Sequence, residues 1–367
     1  MSKELNTDPF PIIQNTDQRK AAQTSLLAEF GTYFQLFFLA GAGWGAVVYG
    51  KTEEFKTFSI IFSAIILEAF PFMLMGALLG GFVDVFLSRE QLVRILPQNP
   101  IKAIILAAFM GICFPVCECA IVPVVRKFLQ KGMPLGAAVA FLLGGPIVNP
   151  LVFSSTFVAY SFSWDVPVLR TLIGASIAVG IGILINMFIS ESRGVLPGKG
   201  HDHHCGSCGC GHDHEILAKQ PFVKKIASAF SHAALDFYDI GRFLVIGAFI
   251  AAVLQTVISR QAFFSMDTGA YASVGVMMIL AFVLNLCSEA DAFIAASLAP
   301  VGVPFSAQMA FMVLGPMLDI KLIIMYLGVF TKKMIFTLCF TIVFFVLFAM
   351  VVLQFALTTG AWTGVGP

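Results

Sequence analysis

Two cysteines and a glutamate, Cys117-Glu118-Cys119, lie in an otherwise apolar run framed by Pro115 and Pro123. Thiols one residue apart with a carboxylate between them are ligand chemistry for a soft or borderline metal ion. A carboxylate at membrane depth needs a partner, a proton or a cavity, and such groups persist there chiefly where they act. On a regular helix, residues two apart face different directions. Where prolines interrupt the helix, both sulfurs can turn toward one ion, and the freed carbonyls must face protein or a cavity. Packing as small apolar side chains accounts for Cys113 and Cys339, but poorly for this pair. The segment reads as a substrate site for a metal or metalloid.

Further residues carry related chemistry. Cys287-Ser288-Glu289-Ala290-Asp291 puts a thiol and two acids into a second apolar stretch, with Cys287 and Asp291 on one helix face. Gly144-Gly145-Pro146-Ile147-Val148-Asn149-Pro150 and Gly315-Pro316-Met317-Leu318-Asp319 read as backbone breaks near the midplane. Their carbonyls, with Asn149 and Asp319, line the pathway or serve as hinges. Lys321 is either the ion-pair partner of Asp319 or an interfacial lysine. Glu68, just before Phe70-Pro71, and Asp239 are candidates for proton coupling. His201, His203, His204, Cys205, Cys208, Cys210, His212 and His214 fall within fourteen residues. Imidazoles and thiols at this density form a metal-capture tract suited to zinc or copper. Their spacing is not that of a closed structural zinc site, so the binding is exchangeable.

The elements that must position these groups follow from hydropathy. Of 367 residues, 58% are hydrophobic and 12% charged, against about 25% charged in a soluble domain. The mean hydropathy of +0.90 and recurring apolar runs define an all-α polytopic integral membrane protein. Spans are expected near 33–50, 57–87, 101–129, 134–161, 166–190, 236–259, 270–299, 304–330 and 334–358, about nine in all (eight to ten). The one around Cys117 and the one carrying Gly144–Pro150 are expected to be broken or re-entrant. Residues 1–32 form a polar tail without signal-peptide character, and residues 359–367 a second tail. The net charge of +1 offers no field for nucleic acid. The lipid bilayer is the evident partner, and a homo-oligomer is left open.

A duplication underlies this order. Cys117, Gly132-x-Pro134, Ala140-Phe141 and Gly145-Pro146 recur 170 residues later as Cys287, Gly302-x-Pro304, Ala310-Phe311 and Gly315-Pro316. Cys119 then falls opposite Glu289 and Asn149 opposite Asp319; one step out of register, Glu68 and Gly76 match Asp239 and Gly247. The first membrane half covers 33–190 (repeat about 57–160) and the second 225–358 (repeat about 227–330), joined by the polar loop 191–224. Repeated halves with broken helices are a common build of secondary transporters. Four spans between equivalent positions favour parallel halves, and one re-entrant segment would reverse that. Positive residues at 89, 94, 102, 126, 127, 131, 332 and 333 do not alternate with the expected spans. The largest group, Arg193, Lys199, Lys219, Lys224 and Lys225, places the loop in the cytoplasm.

The Phe-Pro-x-Cys-x-Cys pattern, the Gly-Met-Pro step, the Gly-Gly-Pro-x-x-Asn-Pro segment and the duplicated halves resemble the predicted permeases related to organoarsenical efflux permeases. The resemblance covers roughly residues 55–355. The central loop is similar to a branch of that family assigned to copper and zinc efflux. It implies an inner-membrane exporter of a soft metal or metalloid, bound by Cys117 and Cys119, with zinc or copper as cargo and no resident cofactor. The loop departs from the arsenical-type members, which makes a trivalent organoarsenical the alternative substrate. The chain has no Walker or aspartyl-phosphate motif, so transport coupled to protons or ions is expected. A membrane thiol-disulfide protein is the alternative of another class, without a quinone, haem or flavin signature to support it.

Overall fold

The computed structural model describes residues 52–86, 96–113, 117–189, 194, 222–257 and 269–359, with the side chains of 84–86, 222–228, 232, 236 and 239 outside that description. The expected span at 33–50 and the metal-capture tract at 201–214 lie outside the described residues. Two units are distinguished, 1–59 and 60–367. Among the described residues the first contributes the opening turns of α1, where Lys56 pairs with Glu53 at 2.7 Å. Everything that follows concerns the second.

The described residues form a polytopic α-helical membrane protein. Its helices are α1 (Glu53–Phe86), α2 (Pro100–Phe109), α3 (Glu118–Gln130), α4 (Leu135–Gly144), α5 (Pro150–Ala159), α6 (Asp165–Phe188), α7 (Phe222–Val257), α8 (Ala270–Leu284), α9 (Ser288–Ser297), α10 (Phe305–Leu314), α11 (Ile320–Tyr326) and α12 (Lys332–Thr358). Among the described helices, α1, α6, α7 and α12 are long and apolar enough to cross a bilayer alone. The expected spans at 101–129, 134–161, 270–299 and 304–330 are each two half-helices.

The breaks have local causes. Pro150 sits in the first turn of α5, with Asn149 capping it by accepting from the Leu151 N–H at 2.9 Å. Asp319 caps α11 through the Leu322 N–H at 2.6 Å. Asn285 ends α8 in the left-handed region at φ 52°, a conformation asparagine tolerates better than most residues. Pro123, by contrast, sits inside α3 without ending it. Its missing N–H leaves the Cys119 carbonyl without the usual helical donor.

Close glycine contacts fix the directions. Gly144 lies against Ala108 and Gly111 against Gly145, so α2 and α4 run side by side the same way. Gly182 lies against Gly136 and Gly174 against Ile147, so α6 runs opposite to both. The α2–α3 pair is therefore a re-entrant hairpin that returns to the face it entered, while α4–α5 crosses to the other face. In the second half, Tyr160 donates to Gln308 at 2.9 Å, placing the start of α10 where α5 ends. The Thr331 N–H donates to the Gly194 carbonyl at 3.1 Å, placing the start of α12 where α6 ends. The second hairpin, α8–α9, thus enters from the opposite face, and the two halves are inverted. A re-entrant segment reverses the parity that favoured parallel halves.

The duplication is visible in the helix bounds. α4 and α10 coincide when shifted by 170 residues, and Gly132 and Gly302 both take positive φ, 89° and 91°. α4 is buried along its whole length and α10 from Ser306 to Leu314. α1 and α7 pack antiparallel, with edge-on ring pairs Phe62–Phe249, Phe70–Phe237 and Phe82–Phe230.

Candidate functional site

Four half-helices begin near the middle of the molecule, with Cys117, Asn149, Cys287 and Asp319 as the N-caps of α3, α5, α9 and α11. Their first N–H groups and positive dipole ends face inward, which stabilises carboxylates there. The hairpin tips meet end to end: Ser288 Oγ donates to Glu118 Oε2 at 3.3 Å across a sequence separation of 170. Contact between equivalent positions marks the pseudo-twofold axis.

Cys117, Glu118, Cys119, Cys287, Asn285, Lys321 and Glu68 border one pocket with room for about one water molecule. Cys117 is extended (φ −76°, ψ 173°) and Cys119 lies in the first turn of α3. The break just before Glu118 is what lets two sulfurs on alternate residues reach the same space. Neither Cys117 nor Cys287 uses its side chain to cap its helix. Glu68 is exposed at the rim, and Cys119 Sγ lies 4.0 Å from Glu118 Oε1.

A buried lysine occupies the centre. Lys321 Nζ stands 3.3 Å from Glu118 Oε1 and 3.5 Å from Asp319 Oδ2, with all three side chains almost fully enclosed. Asn285, with its amide nitrogen turned toward Asp319, donates to both carboxylate oxygens at 2.7 and 2.9 Å. Among the described residues, no three of His, Cys, Asp and Glu stand close enough to hold a metal ion together.

The remaining expected residues divide. Glu289 is half-buried, its Oε2 3.4 Å from the Ser288 hydroxyl. Asn149 is buried as a cap and does not border the pocket. Asp291 is buried beside Gly315, away from the pocket, and its Oδ2 has no hydrogen-bond partner. Asp239 is on α7, but its side chain lies outside the described residues, as do His201 to His214. Arg170 of α6 escaped the sequence reading. It is 1% exposed and donates to Thr156 Oγ1 at 2.7 Å and to the carbonyls of Ser288 and Met312, both at 3.0 Å. A lone arginine at the fifth position of the apolar run 166–190 was the available signal.

Inverted halves, discontinuous helices and a polar site where the breaks meet define a membrane transporter rather than an enzyme. Residues 54–355 match a family described as predicted permease, and the chain belongs to that family. It is 37% identical over 295 residues to the UPF0718 protein YcgR of Bacillus subtilis, covering 80% of this chain and 96% of that one. It is 39% identical over 276 residues to a putative two-component membrane permease complex subunit of Streptococcus mutans, covering 75% and 87%. A shorter likeness, 25% over 118 residues, covers 32% of this chain and 34% of the UPF0718 protein YraQ of Escherichia coli. No solved structure matches the chain.

Proposed function

We propose that this permease exports a soft or borderline metal ion, Zn²⁺ or Cu⁺, from the cytoplasm across the inner membrane. The observation that carries the reading is the ion-sized pocket bordered by Cys117, Cys119 and Cys287 together with Glu118. Thiols with a carboxylate suit these ions. Asp319 beside Lys321 and Glu289 beside Ser288 add negative charge next to this centre, whereas Asn149 and Asp291 lie behind it. Glu68 at the rim, with Asp239 on the facing helix, serves proton counter-transport.

The inverted topology supports the orientation. Lys102, Arg126, Lys127, Lys131, Lys332 and Lys333 lie in or beside helix ends at one face, and Arg89, Arg94, Arg193, Lys199 and Lys219 fall in the sequence between helices that end and begin there. At the opposite face the α5–α6 and α9–α10 connections carry no positive residue, and the α7–α8 connection only Arg260. The positive-inside tendency makes the first face cytoplasmic, and the metal-capture tract joins α6 to α7 there.

The test is metal content in a deletion strain complemented with wild type or with the Cys117→Ser, Cys119→Ser double variant. The double variant should leave cells as loaded with zinc or copper as the deletion itself. Export equal to wild type would remove the site assignment. Deleting 201–214 should raise the metal concentration needed for half-maximal export while leaving the maximal rate within about twofold.

A further inference from the structure

Lys321 breaks the duplication at the place where the duplication matters most. Its equivalent in the first half, 170 positions earlier, is Leu151, which is exposed. The lysine is held from three directions. Gly247 of α7 lies against its Cα, so the backbone cannot retreat without moving a long helix. Asp319, two residues before it, is fixed by the Leu322 N–H and by Asn285 from the other broken segment. Glu118 reaches it from the first half, 203 positions away. The ammonium is therefore a single positive charge bridging two carboxylates from opposite repeats, inside the pocket that the thiols border.

Two buried carboxylates within 3.5 Å of one ammonium need protons of their own or a cation beside them. A substrate ion supplies it in the loaded carrier. We infer that Lys321 supplies it in the empty one, as a tethered cationic stand-in for the transported ion that lets the empty carrier change sides. This rests on the metal-export reading of the same pocket. When an ion draws Cys117, Cys119 and Glu118 together from the spacing they have in the empty site, the flexible lysine stem withdraws its charge and the ion takes over the bridge between repeats. When the ion leaves, the ammonium returns and the empty site is again neutralised. The position of Lys321 on the second repeat and Glu118 on the first is essential, because the bridge must hold across the boundary along which the halves rock.

This role has a signature that structural damage does not share. Net transport requires the empty carrier to return, whereas exchange of one ion for another requires only loaded states. Purified wild type and variants in proteoliposomes are compared in two modes, using radioactive Zn²⁺: net flux down a gradient, and exchange against unlabelled Zn²⁺ inside. Lys321→Met should lower net flux by about a hundredfold or more, because the empty site then carries buried carboxylates without a counter-ion. Exchange should stay within about twofold of wild type, since it bypasses that state. Lys321→Arg, which keeps the charge, should retain net flux. Undiminished net flux in Lys321→Met, or loss of both modes in protein that remains monodisperse, overturns the inference. If Lys321→Met does not fold, Lys321→Gln carries the same comparison, because its amide satisfies a carboxylate without supplying charge. Failure of wild type to move Zn²⁺ in either mode would instead remove the metal reading of the pocket.

Discussion

At the tip of the first hairpin Cys117 and Glu118 precede Cys119; at the matching positions of the second, Cys287 and Ser288 precede Glu289. Both cysteines cap a half-helix in extended conformation, with φ −76° and −78°. Behind each tip a glycine lets the neighbouring broken helix approach, yet Gly145 meets the methyl end of Ile121 where Gly315 meets the carboxylate of Asp291. Farther out, Tyr160 corresponds to Phe330, Leu151 to Lys321 and Arg170 to Phe340. The backbone plan was copied; the charges were not. A duplicated scaffold supplies four converging helix N-termini, and the divergence of a few side chains turns that symmetric cradle into a site with two acids and a cation held across the axis.

That contrast breaks most sharply at Arg170. Arg170→Met removes three buried hydrogen bonds and leaves the Ser288 and Met312 carbonyls and the Thr156 hydroxyl without this donor, at a cost of about 3–5 kcal/mol in thermal unfolding of the detergent-solubilised protein. Its repeat equivalent Phe340 is 66% exposed, and Phe340→Met should change stability by less than about 0.5 kcal/mol. Comparable losses at the two positions would contradict the asymmetry.

Exchanging the touching residues sharpens the comparison further. Glu118→Ser with Ser288→Glu moves the carboxylate across a 3.3 Å contact while keeping composition unchanged. The double variant should stay within about 1.5 kcal/mol of wild type, since the two sites couple directly. Its net Zn²⁺ flux should nevertheless fall to background, because Lys321 remains on its original side. Transport at the wild-type rate would mean that the tips are interchangeable.

The smallest effect belongs to Tyr160. Its hydroxyl donates to Gln308 at 2.9 Å and ties the end of α5 to the start of α10, whereas the Phe330 side chain, without a hydroxyl, packs edge-on against the Tyr326 ring. Tyr160→Phe should cost about 1 kcal/mol by thermal unfolding, without change in transport. No loss would mean that this link between the halves is incidental.

Much of the site was legible because its signals are local. Cys117, Glu118, Cys119 and Cys287 stood out as polar groups in apolar runs, and all four border the pocket. Asn149 and Asp319 were marked by the glycine and proline beside them, and both serve as caps; only Asp319 also joins the central charge network. Asp291 was singled out for the same reason as Glu289 but sits behind the tip, because a residue's depth along a half-helix does not reveal what lies opposite. The positive residues appeared unordered as long as every apolar segment was assumed to cross. Two hairpins that return to their own faces place most of them on one side, with no change in any residue.

The amino-acid order by itself determined the membrane environment, the 170-residue duplication and three of the four midplane breaks; the one at Asn285–Cys287 lies in the run 270–299, which reads as a single span. Each of these is written in runs, spacings and single residues: apolar length, Gly-Pro pairs, and an Asn or Asp ahead of a helix start. Only the tertiary structure decided which way each half-helix turns after its break, and hence that the halves are inverted. A half-helix has the same composition whichever face it runs toward, so its direction is set by the glycine surfaces against which it packs. The same holds for the bridge from Lys321 to Glu118. Its two ends are 203 residues apart, and nothing near either one names the other.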